Sequence, residues 1–410
     1  MKTSLGRPSK EPARIALVVL ARAAAAIALA SVVIGHGQVP VVAAQPPMTL
    51  TLQTTWPISL SHYDNFTMFA ETVERMSGGR LKIEPRSPGI AVPSLADVNG
   101  ANQKTIEGHH GSSGDWTNKD KTALLFAGGP GGPFGMDHTD VMGWLYYGGG
   151  LELYQQYYRE IAKRDAVAFP IISASPRALG WFRRPIESLD GFKAMTCQQT
   201  GLAAEVYKEM GQRVVNLPDG EVMRAVDRGL IDCAESTGGV EDLRSGVHTF
   251  WKRLYSPGML PSVTVGELVF AGEVWRKLPR DLQEIVRAAT METLLRSWAI
   301  WQRQSVDAIT QLRQKHNVEI LKTPEYLLVE FLSAWDRIAA REAERDPFFG
   351  KLLESQRQYA AKVVPAKRLM LAPATFAVDY YWPVAPTPPV PDRPAKPSVG
   401  TSFGEAVGGG

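Results

Sequence analysis

The sequence predicts an α/β protein of two lobes followed by a long helical segment, and three observations lead there. At 410 residues the chain exceeds the size at which one hydrophobic core stops growing, so it is expected to divide. A strand–helix–strand rhythm opens the chain and returns between Val167 and Phe270. Such units make parallel sheets whose ligands lie at the carboxyl ends of the strands. From Glu273 to His316 the pattern is continuously helical apart from Pro279, which suits the first turn of a new helix.

The elements follow in order. Lys2, Arg7, Lys10 and Arg14 precede an Ala/Val/Ile/Leu run from Ile15 to Gly35 that leaves through Val42-Ala43-Ala44, the form of a secretory signal. Arg22 breaks the run into pieces too short to span a bilayer, so the chain is expected in the periplasm, cleaved near Ala44. Thr49–Thr55 alternates as a strand and Trp56-Pro57 ends it. Phe66, Phe69, Val73 and Met76 recur at helical steps, Gly78-Gly79 stops the helix, and Arg80–Glu84 reads as the next strand.

In the second series, Val167–Ile172 and Phe192–Cys197 are candidate strands. Gly201–Met210 is a helix and Val214–Leu217 a short strand. Glu221–Arg228 is a helix closed by Gly229, before the strand Leu230–Ala234. Leu282, Ile285, Val286, Leu294, Leu295, Trp298, Trp301, Val306, Ile309 and Leu312 are the expected buried stripe of the long helix, facing the core or a homodimer partner. Glu325–Lys362 is helical, and Pro383–Gly410 is Pro/Gly-rich with the composition of a disordered tail. The expected organisation is a signal peptide over 1–44, a first lobe from 46–170 and a second over 171–264. A return to the first lobe with the long helix covers 265–325, a C-terminal helical region 326–382, and the tail 383–410.

Composition narrows function by exclusion. With 44% apolar residues, 21% charged residues and a net charge of +3, this is an ordinary globular chain. Its basic residues are scattered, several within the signal, so nucleic acid is not an expected partner. The sequence has no G-x-x-x-x-G-K-[ST], G-x-S-x-G, H-E-x-x-H or C-x-x-C motif, and no nucleophile with a positioned base can be named, so no enzyme is predicted. Gly128–Gly135 departs from the dinucleotide fingerprint and its prolines withhold N–H donors, which makes it a rigid turn. Adjacent His109 and His110 point apart on a strand, a structural arrangement rather than a metal site. Cys197 and Cys233 each end a strand of the second lobe; an even count in an exported protein invites a disulfide, and burial as free thiols explains them equally well.

From Trp144 to Leu153 the sequence Trp-Leu-Tyr-Tyr-Gly-Gly-Gly-Leu-Glu-Leu is no longer generic. Together with Gly180-Trp181-Phe182, Asn216-Leu217-Pro218, Gly220-Glu221, Arg228–Glu235 and Val363–Lys367, it resembles the solute receptors of tripartite ATP-independent periplasmic (TRAP) transporters. The likeness is to the DctP-like branch that binds keto and hydroxy acids, and it covers roughly residues 49–382. It implies a type II-like periplasmic binding protein fold, a small organic anion as ligand and TRAP membrane subunits as partners. A repurposed sensor or adaptor on the same fold is the alternative.

The resemblance also implies four cleft positions. The Arg that usually forks onto the substrate carboxylate is matched here by Gln198, and the polar side chain before the Gly-Trp-Phe turn by Arg177. Of a Glu-Trp pair, Glu235 is kept as a metal ligand and Ser236 replaces the Trp; Pro261 stands where a second acidic ligand is expected. A sodium or calcium ion bridging to substrate is thus implied by the likeness, and weakened by the loss of a charged oxygen beside a new arginine. Either Arg177 supplies the guanidinium from the opposite side, or the ancestral ligand is lost. Trp116, Asn118 and Phe134 are expected to cover the ligand from the first lobe, and Tyr147 and Glu152 to be architectural.

Overall fold

The computed structural model describes residues 46–88, 106–113, 120–128, 133–174, 177–217, 219–258, 264–371 and 374–382. The signal segment, Trp116, Asn118, Pro261 and the tail from residue 383 lie outside the described residues. Strands in chain order are β1 (Met48–Thr54), β2 (Leu81–Arg86), β3 (Gly108–Gly111), β4 (Ala166–Ala174), β5 (Gly180–Phe182), β6 (Thr196–Gln198), β7 (Arg213–Val215), β8 (Cys233–Ala234), β9 (Arg253–Ser256), β10 (Thr264–Ala271) and β11 (Glu319–Lys322). They form two sheets, ordered β2-β1-β3-β10-β4 and β11-β9-β5-β8-β6-β7. The fold is α/β with two lobes, as predicted, but the sheets are mixed. β10 runs antiparallel to β3 and β4, and β5 antiparallel to β8 and β9. These strands enter from long crossings between the sheets, which a local strand–helix–strand pattern does not register.

Five helices matter for the site: α1 (Ser61–Ser77), α2 (Gly239–Ser245), α3 (Arg280–Gln314), α4 (Glu325–Arg345) and α5 (Pro347–Met370). α1 buries Phe66, Phe69 and Val73, and ends where Gly78 takes φ 62, returning its N–H to the carbonyls of Glu74 and Arg75. That left-handed stop needs a residue without Cβ. α3 runs 35 residues and packs on β4, α1 and α2. Its buried line is Leu282, Val286, Ala289, Thr293, Ser297, Trp301, Ala308 and Leu312. Leu295 and Val306, expected inside, are about 60% exposed. The small residues Ala289, Thr293 and Ser297 let neighbouring elements approach α3 closely, so the buried face follows size more than hydrophobicity.

Other expectations shift locally. Phe192 belongs to a short helix over Leu189–Lys193 that Ser188 caps, and the strand begins only at Thr196. The helical stretch after 325 is two helices, because Asp346 accepts from the Phe348 N–H at 2.8 Å and Pro347 opens the second. β11, inside the segment assigned to the return, pairs with β9 of the second sheet. Cys197 and Cys233 face each other on parallel β6 and β8 and form a disulfide.

His109 and His110 do point apart. His109 Nε2 meets Glu267 at 3.2 Å in the core, where Glu267 also accepts from the hydroxyls of Tyr154 and Tyr158. The Gly-Gly-Gly segment is architectural: Gly149 has φ 88, and a Cβ on Gly150 would lie 2.8 Å from Leu145 Cα.

Candidate functional site

Strand direction selects the site. β1 and β3 are parallel and β10 is antiparallel to both β3 and β4, so the carboxyl ends of β1, β3 and β4 share one edge of the first sheet. In the second sheet Gln198 pairs with Ala234 on parallel β6 and β8, and antiparallel β5 begins opposite that end. Gln198, Glu235 and Ser236 therefore sit on one rim, and Arg177, three residues before β5, joins it from the segment that crosses over from β4.

The first-sheet wall is built from the residues that follow β1. Thr54 Oγ1 lies 3.0 Å from His110 Nδ1, and His110 Nε2 lies 2.9 Å from Asn65 Oδ1. Asn65 Nδ2 donates to the Ile171 carbonyl and Ser297 Oγ, both at 3.0 Å, so its Oδ1 accepts and His110 carries its proton on Nε2. Phe66 stacks on this ring at 4.6 Å, and burial holds His110 neutral, its pKa well below the ordinary value. Beyond it the Trp56 ring stands 5.0 Å from His110 and 4.7 Å from His62, and His62 stands 5.5 Å from Trp301.

His62 differs from His110 in one respect: its Nδ1 is enclosed and has no hydrogen-bond partner. Burial, then the nearby Arg177 guanidinium, lowers its pKa to about 3. Arg177 is itself half-buried, with its Nε enclosed and unpartnered. A guanidinium N–H can only donate, so an enclosed one without an acceptor is a cost that a bound anion relieves.

On the opposite rim the polar groups find each other. Glu235 N–H reaches the Gln198 carbonyl at 3.2 Å and its Oε1 at 3.4 Å, and Thr200 Oγ1 donates to Glu235 Oε1 at 2.9 Å. The enclosed Tyr207 hydroxyl has its pKa raised by burial and then by Glu235. Ser236 is fully buried, and its hydroxyl donates to Asp242 Oδ2 at 2.5 Å. Asp242 also accepts from the N–H and hydroxyl of Thr237. Ser236 thus ties this rim into α2.

Phe134 is displaced from its expected place. Its ring lies under Arg357 at 5.0 Å and lines a cavity of about 640 Å³ with Trp335, Ala339 and Leu353 of α4 and α5. The turn that carries it, with φ 53 at Phe134 itself, aims the ring into this helical layer. Sequence reasoning missed Trp56 and His62 altogether, since Trp56-Pro57 was informative only as a strand end. Their position just past a strand terminus was the available signal.

A family model for bacterial extracellular solute-binding proteins, family 7, matches residues 52–346. The chain belongs to that family. Over 325 residues it is 30% identical to the monocarboxylate 2-oxoacid-binding periplasmic protein of Nostoc sp. (strain PCC 7120), covering 79% of this chain and 87% of that one. Among solved structures it resembles a TRAP periplasmic solute-binding protein of Colwellia psychrerythraea with bound calcium and pyruvate: 26% identity, TM-score 0.72, 79% of this chain and 97% of the other. A Pseudoalteromonas atlantica receptor with bound sodium and pyruvate gives 26% identity and TM-score 0.71 over the same shares. This family is one of solute receptors, and among the described residues no helix is long and apolar enough to cross a membrane.

Those two relatives carry bound calcium or sodium as well as pyruvate. The described residues here fit calcium poorly. Calcium takes about six to eight oxygens, carboxylates among them, and no group of three or more His, Cys, Asp or Glu among the described residues converges on a point. Glu235 on this rim is engaged by Thr200, and the neighbouring carboxylate of Asp242 is buried and taken up by Ser236 and Thr237.

Proposed function

We propose that this family 7 receptor binds a small monocarboxylate in the crevice between the two sheets and delivers it to TRAP membrane subunits. Arg177 is the carboxylate-binding residue. The observation that carries this reading is the enclosed Arg177 Nε with no acceptor, on the segment that crosses between the sheets. The names of the relatives, which bind pyruvate or 2-oxoacids, support the ligand class. One guanidinium facing one engaged carboxylate leaves room for a single negative charge, and the anion is held without a resident cation. The first lobe runs over 46–170 with its return and long helix over 265–325, the second over 171–264, and the chain works in the periplasm after cleavage near Ala44.

A thermal-shift screen of 2-oxo, 2-hydroxy and unsubstituted short acids tests this. A ligand at 100 times its Kd stabilises by about 2.7 kcal/mol, a readily measured rise in Tm. The expected outcome is stabilisation by pyruvate-like acids that Arg177→Ala abolishes. If no acid in the panel moves Tm, or if Arg177→Ala retains the full shift, the reading fails.

A further inference from the structure

Arg177 accounts for the ligand's carboxylate but leaves the enclosed His62 Nδ1 without a task. That nitrogen is on the first-sheet wall, on a ring held between Trp56 at 4.7 Å and Trp301 at 5.5 Å, where burial and then the Arg177 charge keep it neutral. We propose that His62 reads the substituent next to the carboxylate, and so selects acids with an oxygen at C2. The inference rests on the proposed binding of a monocarboxylate by Arg177.

Three features of the wall lead to it. First, the neighbouring imidazole is fully satisfied: His110 has Thr54 on one nitrogen and Asn65 on the other. The open Nδ1 of His62 therefore differs from the paired side chains of Thr54, Asn65 and His110 beside it, and buried polar atoms are rarely left so without a use. Second, flanking by two indoles fixes the ring plane, so Nδ1 is presented at one place, as a specificity contact requires. Third, a neutral imidazole can accept through Nδ1 in one tautomer and donate from it in the other. It thus pairs with a 2-hydroxyl or with a 2-oxo oxygen, whereas a methylene at C2 leaves Nδ1 as unpaired as it is now. A site that hydrogen-bonds a substrate oxygen discriminates against the analogue lacking it, because its own buried group is then stranded.

The test is calorimetric titration of the purified protein with sodium pyruvate, sodium L-lactate and sodium propionate. Wild type is expected to bind pyruvate and lactate at least about tenfold more tightly than propionate, one good hydrogen bond's worth. His62→Phe keeps the ring between the indoles and removes the nitrogen; the gap should shrink to about twofold through loss of pyruvate and lactate affinity, with propionate unchanged. His62→Gln, which restores a polar group, should recover part of it. A wild type that binds all three acids equally overturns the proposal, as does a His62→Phe protein that keeps the gap or loses all three acids in equal measure. In those cases Arg177-dependent binding still stands. If wild type binds none of the three, the receptor reading falls and this inference with it.

Discussion

The two walls of the crevice are built on different terms. On the second-sheet rim Gln198, Thr200 and Glu235 hydrogen-bond one another and Ser236 is tied to Asp242, and the atoms left enclosed without a partner are Gln199 Oε1, the Tyr207 hydroxyl and Glu241 Oε2. The first-sheet wall and the crossing segment present two enclosed nitrogens, on His62 and Arg177, that have no partner. A polar group already paired inside the protein gains little from a ligand, whereas an unpaired buried one gains the full hydrogen bond. In the proposed reading, recognition rests on residues that follow β1 and β4 rather than on the rim where the family resemblance places its arginine and its ion.

The largest effect should come from Arg177. Replacing it by Ala removes a charge-assisted hydrogen bond and the only guanidinium assigned to the ligand, worth about 2–3 kcal/mol, or a loss of about a hundredfold in pyruvate affinity by calorimetry. Arg177→Lys should recover only part, since an ammonium lacks the planar fork. A variant pair with unchanged affinity would put recognition back on the Gln198 rim and reverse the comparison.

The histidines give the next effect, and it is on stability. His62 titrates at about 3 in the folded protein against an ordinary 6.5, and burial lowers His110 in the same direction. The unfolded chain therefore takes up protons from about pH 6.5 downward that the folded chain refuses until about pH 3. Stability contributed by the neutral rings is complete above pH 6.5 and is lost as pH falls. At pH 5 the loss from His62 alone is about 2 kcal/mol. Tm should drop steadily from pH 7 to pH 4.5, and His62→Phe should flatten that slope; an unchanged slope would show that His62 is not held neutral by this wall.

How much of this was legible beforehand follows from what each signal depends on. The α1 helix and its Gly78 stop, the opening strands and the long helix are local patterns, and local patterns survive into the structure. The antiparallel β5 and β10 depend on crossings tens of residues long, and the packed face of α3 depends on small residues that hydrophobicity does not mark. At the site, Arg177 was visible because it breaks a family pattern. The tie from Ser236 to Asp242, six residues away, has no sequence feature announcing it. His62 was invisible for the same reason in reverse: what distinguishes it from His110 is the absence of a partner, and only three dimensions can show that.

A smaller effect concerns the ion. Two relatives hold calcium or sodium with pyruvate; here the comparison gives Glu235 an internal role. Glu235→Gln should keep the Thr200 hydrogen bond and change pyruvate affinity by no more than about threefold, about 0.6 kcal/mol. Pyruvate titrations in sodium-free buffer with a chelator should match those with added calcium. An ion-dependent affinity, lost in Glu235→Gln, would show that Glu235 holds an ion here and that the anion site is incomplete without it.

The smallest expected effect joins the two walls. Glu241, in α2 beside the Ser236 rim, accepts from the Ser61 N–H at 3.0 Å, and Arg244 donates to the Ser59 carbonyl at 2.9 Å, both at the start of α1. These bonds span from the Ser236 rim to the wall that carries His62, and an acidic side chain at a helix N-terminus suits the helix dipole. They act on the distance between the walls without touching the ligand. Glu241→Ala should therefore weaken pyruvate, lactate and propionate alike, by about threefold or 0.6 kcal/mol, chiefly through faster dissociation. An equal loss across the three acids is what separates a residue that brings the walls together from one, like His62, that reads the ligand; a loss confined to pyruvate and lactate would place Glu241 in recognition and blur the division between the two walls.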